Sequence, residues 1–143
     1  MEVAQISKIL GGPKALHMRI NNRHDLISLS EHGVTKTALL NLTKYLSFTL
    51  NQVAGLLSIS ERTVQRYSPS KHFNRPVSEQ ILQIAEVVAK GMEVFERKDN
   101  FLAWMKQGNV ALGGKTPLSL LSSRFGTQMV LDELGRIEHG IVS

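Results

Sequence analysis

The chain has no cysteine. That absence removes disulfide frameworks, thiolate metal sites and cysteine nucleophiles together. No apolar run approaches the roughly 20 residues needed to span a bilayer. The opening Met1-Glu2-Val3 lacks the basic and apolar regions of a secretory leader, so the expected compartment is the cytoplasm. Convincing strand runs and hairpin turns are also missing. So are catalytic constellations. The five histidines (His17, His24, His32, His72, His139) form no i,i+4 pair and have no acidic partner at ligand spacing. Each reads as a surface or partly packed histidine, and no metal is expected. Glu133 and Glu138 share a helix without making an acid/base pair across a cleft. Gly113-Gly114-Lys115-Thr116 carries only part of a phosphate-loop frame: Gly108 lies too far upstream and no strand precedes it. Two glycines before a Thr-Pro cap make a tight turn more simply. Neither an enzyme nor a cofactor is expected.

What is present begins with length. A chain of 143 residues is one large domain or two small ones, and its apolar fraction of 42% is ordinary for a globular protein. The net charge is +5, and its distribution matters more than its size. Residues 1–75 hold ten Lys/Arg against four Asp/Glu, a surplus of six; residues 76–143 hold seven against eight. A basic front and a nearly neutral rear imply different partners, with the phosphate-binding surface expected in front.

The most informative stretch is Thr49 to Tyr67, TLNQVAGLLSISERTVQRY. Thr49 is placed to cap a helix whose Val53, Ala54, Leu56 and Leu57 form an apolar stripe. Ser58-Ile59-Ser60 is a turn of helix-turn-helix length, with Ile59 inward. Ser60 caps a second helix and Glu61 suits its first turn. Val64 and Tyr67 pack inward, leaving Arg62, Thr63, Gln65 and Arg66 outside. Arg bonds two acceptors of guanine, Gln does the same with adenine, and Thr reaches a base or a phosphate. The bland alternative is a helical hairpin with a solvated polar face. Lys71 and Arg75, in a loop bracketed by Pro69 and Pro76, either extend the basic surface to phosphates or are merely solvated.

The rest of the chain reads as helices throughout, giving an all-α fold. Val3, Ile6, Ile9 and Leu10 line a short helix closed by Gly11-Gly12-Pro13, either a strap on the core or a dimer contact. Residues 14–24 are ambiguous. Asp25 is the expected cap of a helix ended by Gly33. Thr35 caps the next, with Leu39, Leu42 and Leu46 inward and Lys36 and Lys44 outward. From Val77 to about Glu96, Ile81, Ile84, Ala85, Val88, Met92 and Phe95 share one face, and Gly91 leaves room for another helix. Asp99 is expected to start a helix, Thr116-Pro117 another ended by Gly126, and Thr127 the last. The expected division is 1–75 for the N-terminal helices and helix-turn-helix, 76–98 for a connecting helix, and 99–143 for a C-terminal domain.

That C-terminal part carries Trp104-Met105, Asn109, Ala111-Leu112-Gly113-Gly114, Thr116-Pro117-Leu118, Leu120-Leu121, Gly126, Val130 and Leu134-Gly135-Arg136-Ile137-Glu138-His139-Gly140. In that order these residues resemble the toxin-binding domain of Xre/MbcA/ParS-like antitoxins, and the family's Xre-type helix-turn-helix falls at Thr49 to Tyr67. The likeness runs from about Asp25 to the end. One departure is Gly108, where the family often has proline, which would loosen that turn. The resemblance implies a type II toxin–antitoxin system. The partner would be a RES-domain toxin, an enzyme similar to ADP-ribosyltransferases that depletes NAD, with the C-terminal domain blocking its active site. The helix-turn-helix would bind the operator DNA of its own promoter and repress it, as a homodimer or a larger complex with toxin.

Within that reading, Arg136, His139, Gly140, Ile141, Val142 and Ser143 are the expected toxin contacts, and Ser60, Arg62, Thr63, Gln65, Arg66, Lys71 and Arg75 the expected DNA contacts. A simpler role for Arg136 is an ion pair with Asp132, four residues earlier. A competing whole-protein reading is a stand-alone Xre-type regulator whose C-terminal domain senses a ligand or only dimerises.

Overall fold

Helix α7, Arg75–Phe95, is the element on which the most extensive helix–helix packing converges. The computed structural model describes residues 2–140, and among these the architecture is all-α. Before α7 come α1 (Glu2–Ile9), α2 (Gly12–Leu16), α3 (Arg23–His32), α4 (Lys36–Leu46), α5 (Leu50–Leu56) and α6 (Glu61–Arg66). After it come α8 (Lys98–Met105), a 3-10 turn at Val110–Leu112, α9 (Pro117–Leu120) and α10 (Arg124–Glu138). Helices α1, α3, α8 and α10 all pack on α7. One buried cluster therefore runs from Ile6 and Leu10 through Leu39, Ile81 and Val88 to Phe101, Val130 and Leu134.

The reason lies in the composition of α7. Its Ile81, Leu82, Ile84, Ala85, Val87, Val88 and Ala89 are all buried, more than one apolar stripe supplies. A helix apolar on several sides must be surrounded. Gly91 serves this arrangement: a β-carbon there would sit 2.0 Å from the Phe101 ring, so glycine lets that ring seat against α7 without being pushed aside.

Capping residues set most helix starts. Thr35, Thr49, Ser60, Asn74, Thr116 and Ser123 each accept from an amide in the first turn of the helix that follows. Four starts differ from the sequence reading. Asn22, not Asp25, caps α3; Asp25 occupies the third helical position and answers with its carboxylate on the backbone of Asn22, completing a capping box. Asp99 lies in the first turn of α8, whose cap position is Arg97. Ser123, not Thr127, caps α10, and Gly126 lies inside that helix rather than ending the one before. Arg75 is the first residue of α7 rather than part of the preceding loop, because Asn74 caps there and Pro76 fits the first turn.

Ser78 connects the parts. Fully buried on α7, its Oγ accepts from the Val34 amide at 2.9 Å and donates to the Phe73 carbonyl at 3.2 Å. It thus holds both the segment entering α4 and the loop leaving α6. Ser78→Ala leaves two buried backbone groups without that partner, at about 1–3 kcal/mol each before relaxation. A net loss of about 2 kcal/mol in urea unfolding is expected; an unchanged midpoint would show that other groups replace the hydroxyl.

Candidate functional site

Helices α5 and α6 with the turn between them build the first candidate surface. Thr49 Oγ1 accepts from Gln52 N at 3.2 Å, and Gln52 Oε1 accepts from Thr49 N at 2.9 Å. This reciprocal box fixes the entry into α5. Val53, Ala54, Leu57 and Val64 are buried, which sets α6 against α5 and turns its opposite face to solvent. Ser58 takes a left-handed φ of +56° at the turn.

On α6 the expected readers are not equivalent. Arg62, Gln65 and Arg66 are exposed, and neither arginine has an ion-pair partner among the described residues. Thr63 is half-buried, and its hydroxyl lies 2.7 Å from that of Ser60, which also accepts from Thr63 N at 3.0 Å. Ser60 and Thr63 are thus engaged with each other in the cap. Lys71 folds back with its ammonium 5.5 Å from the Tyr67 ring, which keeps it beside the end of α6. Arg75 is exposed on the first turn of α7.

The far end of α6 is held by distant groups. Lys36 Nζ donates to Tyr67 O at 2.8 Å and Gln65 O at 3.4 Å, a cation on the last carbonyls of a helix. Lys36 is therefore half-buried and bonded, not simply outward as its helical position suggests. The following loop is pinned by Lys36 N on Lys71 O (2.9 Å), Phe73 N on Val34 O (2.9 Å) and the bridge between Thr35 and His72. His72 completes the lock. Its Nδ1 lies 2.8 Å from Gly33 O, which only accepts, so Nδ1 carries the proton. In neutral His72, Nε2 then accepts from His17 Nδ1 at 3.3 Å, and the His32 ring stands edge-on to it at 4.8 Å. Three histidines separated by 15 and 40 residues thus meet, which spacing along the chain does not reveal. Among the described residues no group of three or more potential ligands is arranged to hold a metal ion.

The second candidate surface lies on α10 and the turns before it. Asn109 closes the glycine turn: its amide donates to Lys115 O, its carbonyl accepts from Gly114 N at 2.8 Å and its side chain accepts from Ala111 N at 2.9 Å. The turn at Gly108 is therefore well bonded without the proline. Leu112 and Pro117 are buried, and Trp104 packs on Phe95 and Phe101. Helix α10 turns Val130 and Leu134 inward, while Phe125 and Met129, one turn apart on the other side, stand 87% and 43% exposed. Val110 is 94% exposed on the 3-10 turn, which packs against α10. These three are the side chains that reading the tail residues alone overlooks. The detectable signal is an apolar residue off the buried stripe.

Arg136 sits in the last turn of α10, 40% exposed. Its Nε donates to Glu133 Oε1 at 2.8 Å, so the partner is not Asp132, whose carboxylate accepts from Gln128 at 2.9 Å. Glu133 is buried, and the closer i,i+3 partner holds the guanidinium. Glu138 pairs with Lys90 of α7 at 2.5 Å; that hydrogen bond holds the Glu138 carboxyl below its ordinary range and lifts the Lys90 ammonium above its own. His139 and Gly140 are exposed at the end of α10, Gly140 with φ +74°. Ile141, Val142 and Ser143 lie outside the described residues. No helix of the described residues is long and apolar enough to cross a membrane.

Two family models match successive stretches of the chain. Residues 25–86 match the Antitoxin Xre-like helix-turn-helix domain, and residues 90–140 match the Antitoxin Xre/MbcA/ParS C-terminal toxin-binding domain. A protein named Antitoxin Xre from Photorhabdus laumondii is 29% identical over 120 residues, spanning 82% of this chain and 81% of its own length. An Antitoxin Xre from Yersinia enterocolitica is 31% identical over 85 residues, 59% of this chain and 57% of that protein. A chain in the crystal structure of the M.tuberculosis MbcT-MbcA toxin-antitoxin complex is similar in fold, with a TM-score of 0.54 at 19% identity over 86% of this chain and 99% of that one.

Proposed function

Because the chain belongs to the Xre/MbcA/ParS-like antitoxins, we propose that it is the antitoxin of a type II pair whose toxin is a RES-domain, NAD-depleting enzyme. The C-terminal domain covers that toxin and closes its active site. Helix α6 reads the operator of the antitoxin's own promoter and represses it, in the cytoplasm, as a homodimer or a larger complex with toxin. Catalysis belongs to the toxin.

One contrast carries this reading. The exposed face of α6 offers two arginines without acidic partners, as a polyanion requires, whereas the C-terminal domain exposes Val110, Phe125 and Met129, as a protein partner requires. Arg62, Gln65 and Arg66 read bases and phosphates on this view. Ser60 and Thr63 hold the helix start and face the backbone of the duplex. Lys71 in the loop and Arg75 on the first turn of α7 supply phosphate contacts. Arg136, steadied by Glu133, keeps its remaining donors for the toxin, together with His139, Gly140 and the Ile141-Val142-Ser143 tail.

Co-expression with the product of the adjacent reading frame tests the toxin half. Deleting residues 140–143 is expected to release NAD consumption while promoter binding stays within about twofold; Phe125→Asp is expected to reduce co-purification of the toxin. If the deleted form still inhibits fully and Phe125→Asp impairs capture, the blocking surface lies on the outer face of α10. If the adjacent product neither co-purifies nor is inhibited, the stand-alone regulator replaces the antitoxin. A C-terminal domain serving only self-association would show itself as a change of molecular mass in Phe125→Asp.

A further inference from the structure

A second basic surface lies away from α6. A solvent-filled groove of about 350 Å³ opens between the end of α1, the last turn of α4 and the start of α8. Lys8, Lys44 and Lys98 line it, one from each helix, with Tyr45 between them and no carboxylate in its wall. The Lys98 ammonium stands 4.3 Å from the Tyr45 ring centre, and Lys106, from the other end of α8, stands 5.4 Å from that of Phe48. Among the described residues none of these four lysines meets a carboxylate at ion-pair distance.

The charge count along the sequence conceals this. Lys98 and Lys106 belong to the nearly neutral rear half, but α8 folds back onto the end of α4. The rear half's Glu79, Glu86, Glu133 and Glu138 are meanwhile each paired, with Arg124, Arg23, Arg136 and Lys90. None of the other four acids of that half, Glu93, Glu96, Asp99 and Asp132, lines the groove, which leaves a basic tract drawn from both halves. Its position names the partner. Lys44 and Tyr45 lie in the last turn of α4, Phe48 follows, and Thr49 caps α5, the first helix of the helix-turn-helix. The tract is continuous with that unit through Phe48, with Lys106 over its ring. Lysines are flexible point charges, suited to phosphates whose spacing is regular but whose bases are not read.

We infer that Lys8, Lys44, Lys98 and Lys106 form a second phosphate-contacting tract that grips duplex DNA flanking the operator core, so that α8 of the toxin-binding domain takes part in DNA binding. This rests on α5 and α6 being the DNA-reading unit. Titrations of three duplexes across a range of salt test it: the footprinted core of the promoter, that core with about ten base pairs added on each side, and a random 40-base-pair duplex. The wild-type chain is expected to bind the extended duplex more tightly, with a steeper salt dependence, than the core.

The Lys8→Gln, Lys44→Gln, Lys98→Gln, Lys106→Gln variant should lose that increment. Its slope of log affinity against log salt is expected to fall by about 3.6 on the extended and random duplexes, at about 0.9 for each of four phosphate contacts, with core affinity within about twofold. The four-arginine counterpart restores the slope, and unfolding midpoints confirm that both variants fold. Unchanged slopes in the glutamine variant, while Arg62→Ala with Arg66→Ala abolishes core binding, overturn this inference and leave the helix-turn-helix reading standing. Unchanged core binding in the Arg62→Ala, Arg66→Ala variant overturns that reading instead. A glutamine variant that loses toxin capture but keeps its slopes assigns the groove to the toxin and equally overturns the inference.

Discussion

Replacing Arg62 and Arg66 together by alanine is expected to weaken binding to the promoter by about two orders of magnitude without weakening the fold. The two lie one turn apart on α6, both exposed, and neither has an acidic partner among the described residues. Like charges at that spacing destabilise a helix by a few tenths of a kcal/mol. A six-residue helix has little to offset that cost unless an anion repays it on binding. A specific arginine–base contact contributes about 1–3 kcal/mol, and a phosphate contact contributes mainly through counterion release. Losing two such groups amounts to about 2–5 kcal/mol, and each lost phosphate contact flattens the salt slope by roughly 1. The accompanying thermal midpoint should be equal to the wild type or slightly higher. Equal affinity would mean that α6 faces something other than DNA; lower affinity together with a lower midpoint would mean that the arginines were structural.

Gly126→Ala is expected to destabilise the protein by about 3 kcal/mol or more, against a helix-propensity gain of about 1 kcal/mol in the opposite direction. Propensity favours alanine at the third position of a fifteen-residue helix. Packing decides otherwise. A β-carbon at Gly126 would lie 2.0 Å from the Leu120 carbonyl oxygen and 2.9 Å from its carbon. Those are backbone atoms at the end of α9, so no side-chain rotation relieves the overlap. The short link Leu121–Ser123 would have to open, disturbing the buried Leu121 and the hydrogen bond from Gln80 of α7 to the Leu121 carbonyl. Overpacking that moves backbone costs about 1–3 kcal/mol and sometimes more. At roughly 2–4 °C per kcal/mol for a chain of this size, thermal unfolding should fall by about 6 °C or more. A raised midpoint would show that α9 and α10 separate easily. Gly91→Ala makes the useful comparison: its β-carbon would meet the Phe101 side chain at 2.0 Å, and a ring can shift where a carbonyl cannot.

Local signals were readable. Thr35, Thr49, Ser60 and Thr116 cap the helices that their position before an apolar pattern assigns to them, and the apolar face of α7 appears at its expected spacing. Where two capping types lie close together, the chain alone misleads. Asn22 and Asp25 both suit a helix start, and so do Ser123 and Thr127. The first of each pair wins because the second is already within the helix, where Asp25 closes the capping box and Thr127 donates to Ser123 O at 2.8 Å. Gly126 resembled a helix stop because glycine commonly ends helices; here it is the contact between two of them.

The sequence by itself determined that the protein is helical, where most helices begin, and that one short pair of them presents arginines. Those properties arise within three or four residues, the range of a cap, a turn or one helical repeat. Only the tertiary structure decided which charges are neutralised, that α8 returns two lysines to the front half, that three distant histidines meet, and that Glu133 rather than Asp132 holds Arg136. Each of these depends on which atoms of separate elements come within hydrogen-bonding or van der Waals distance once α7 is surrounded, and no local pattern carries that information.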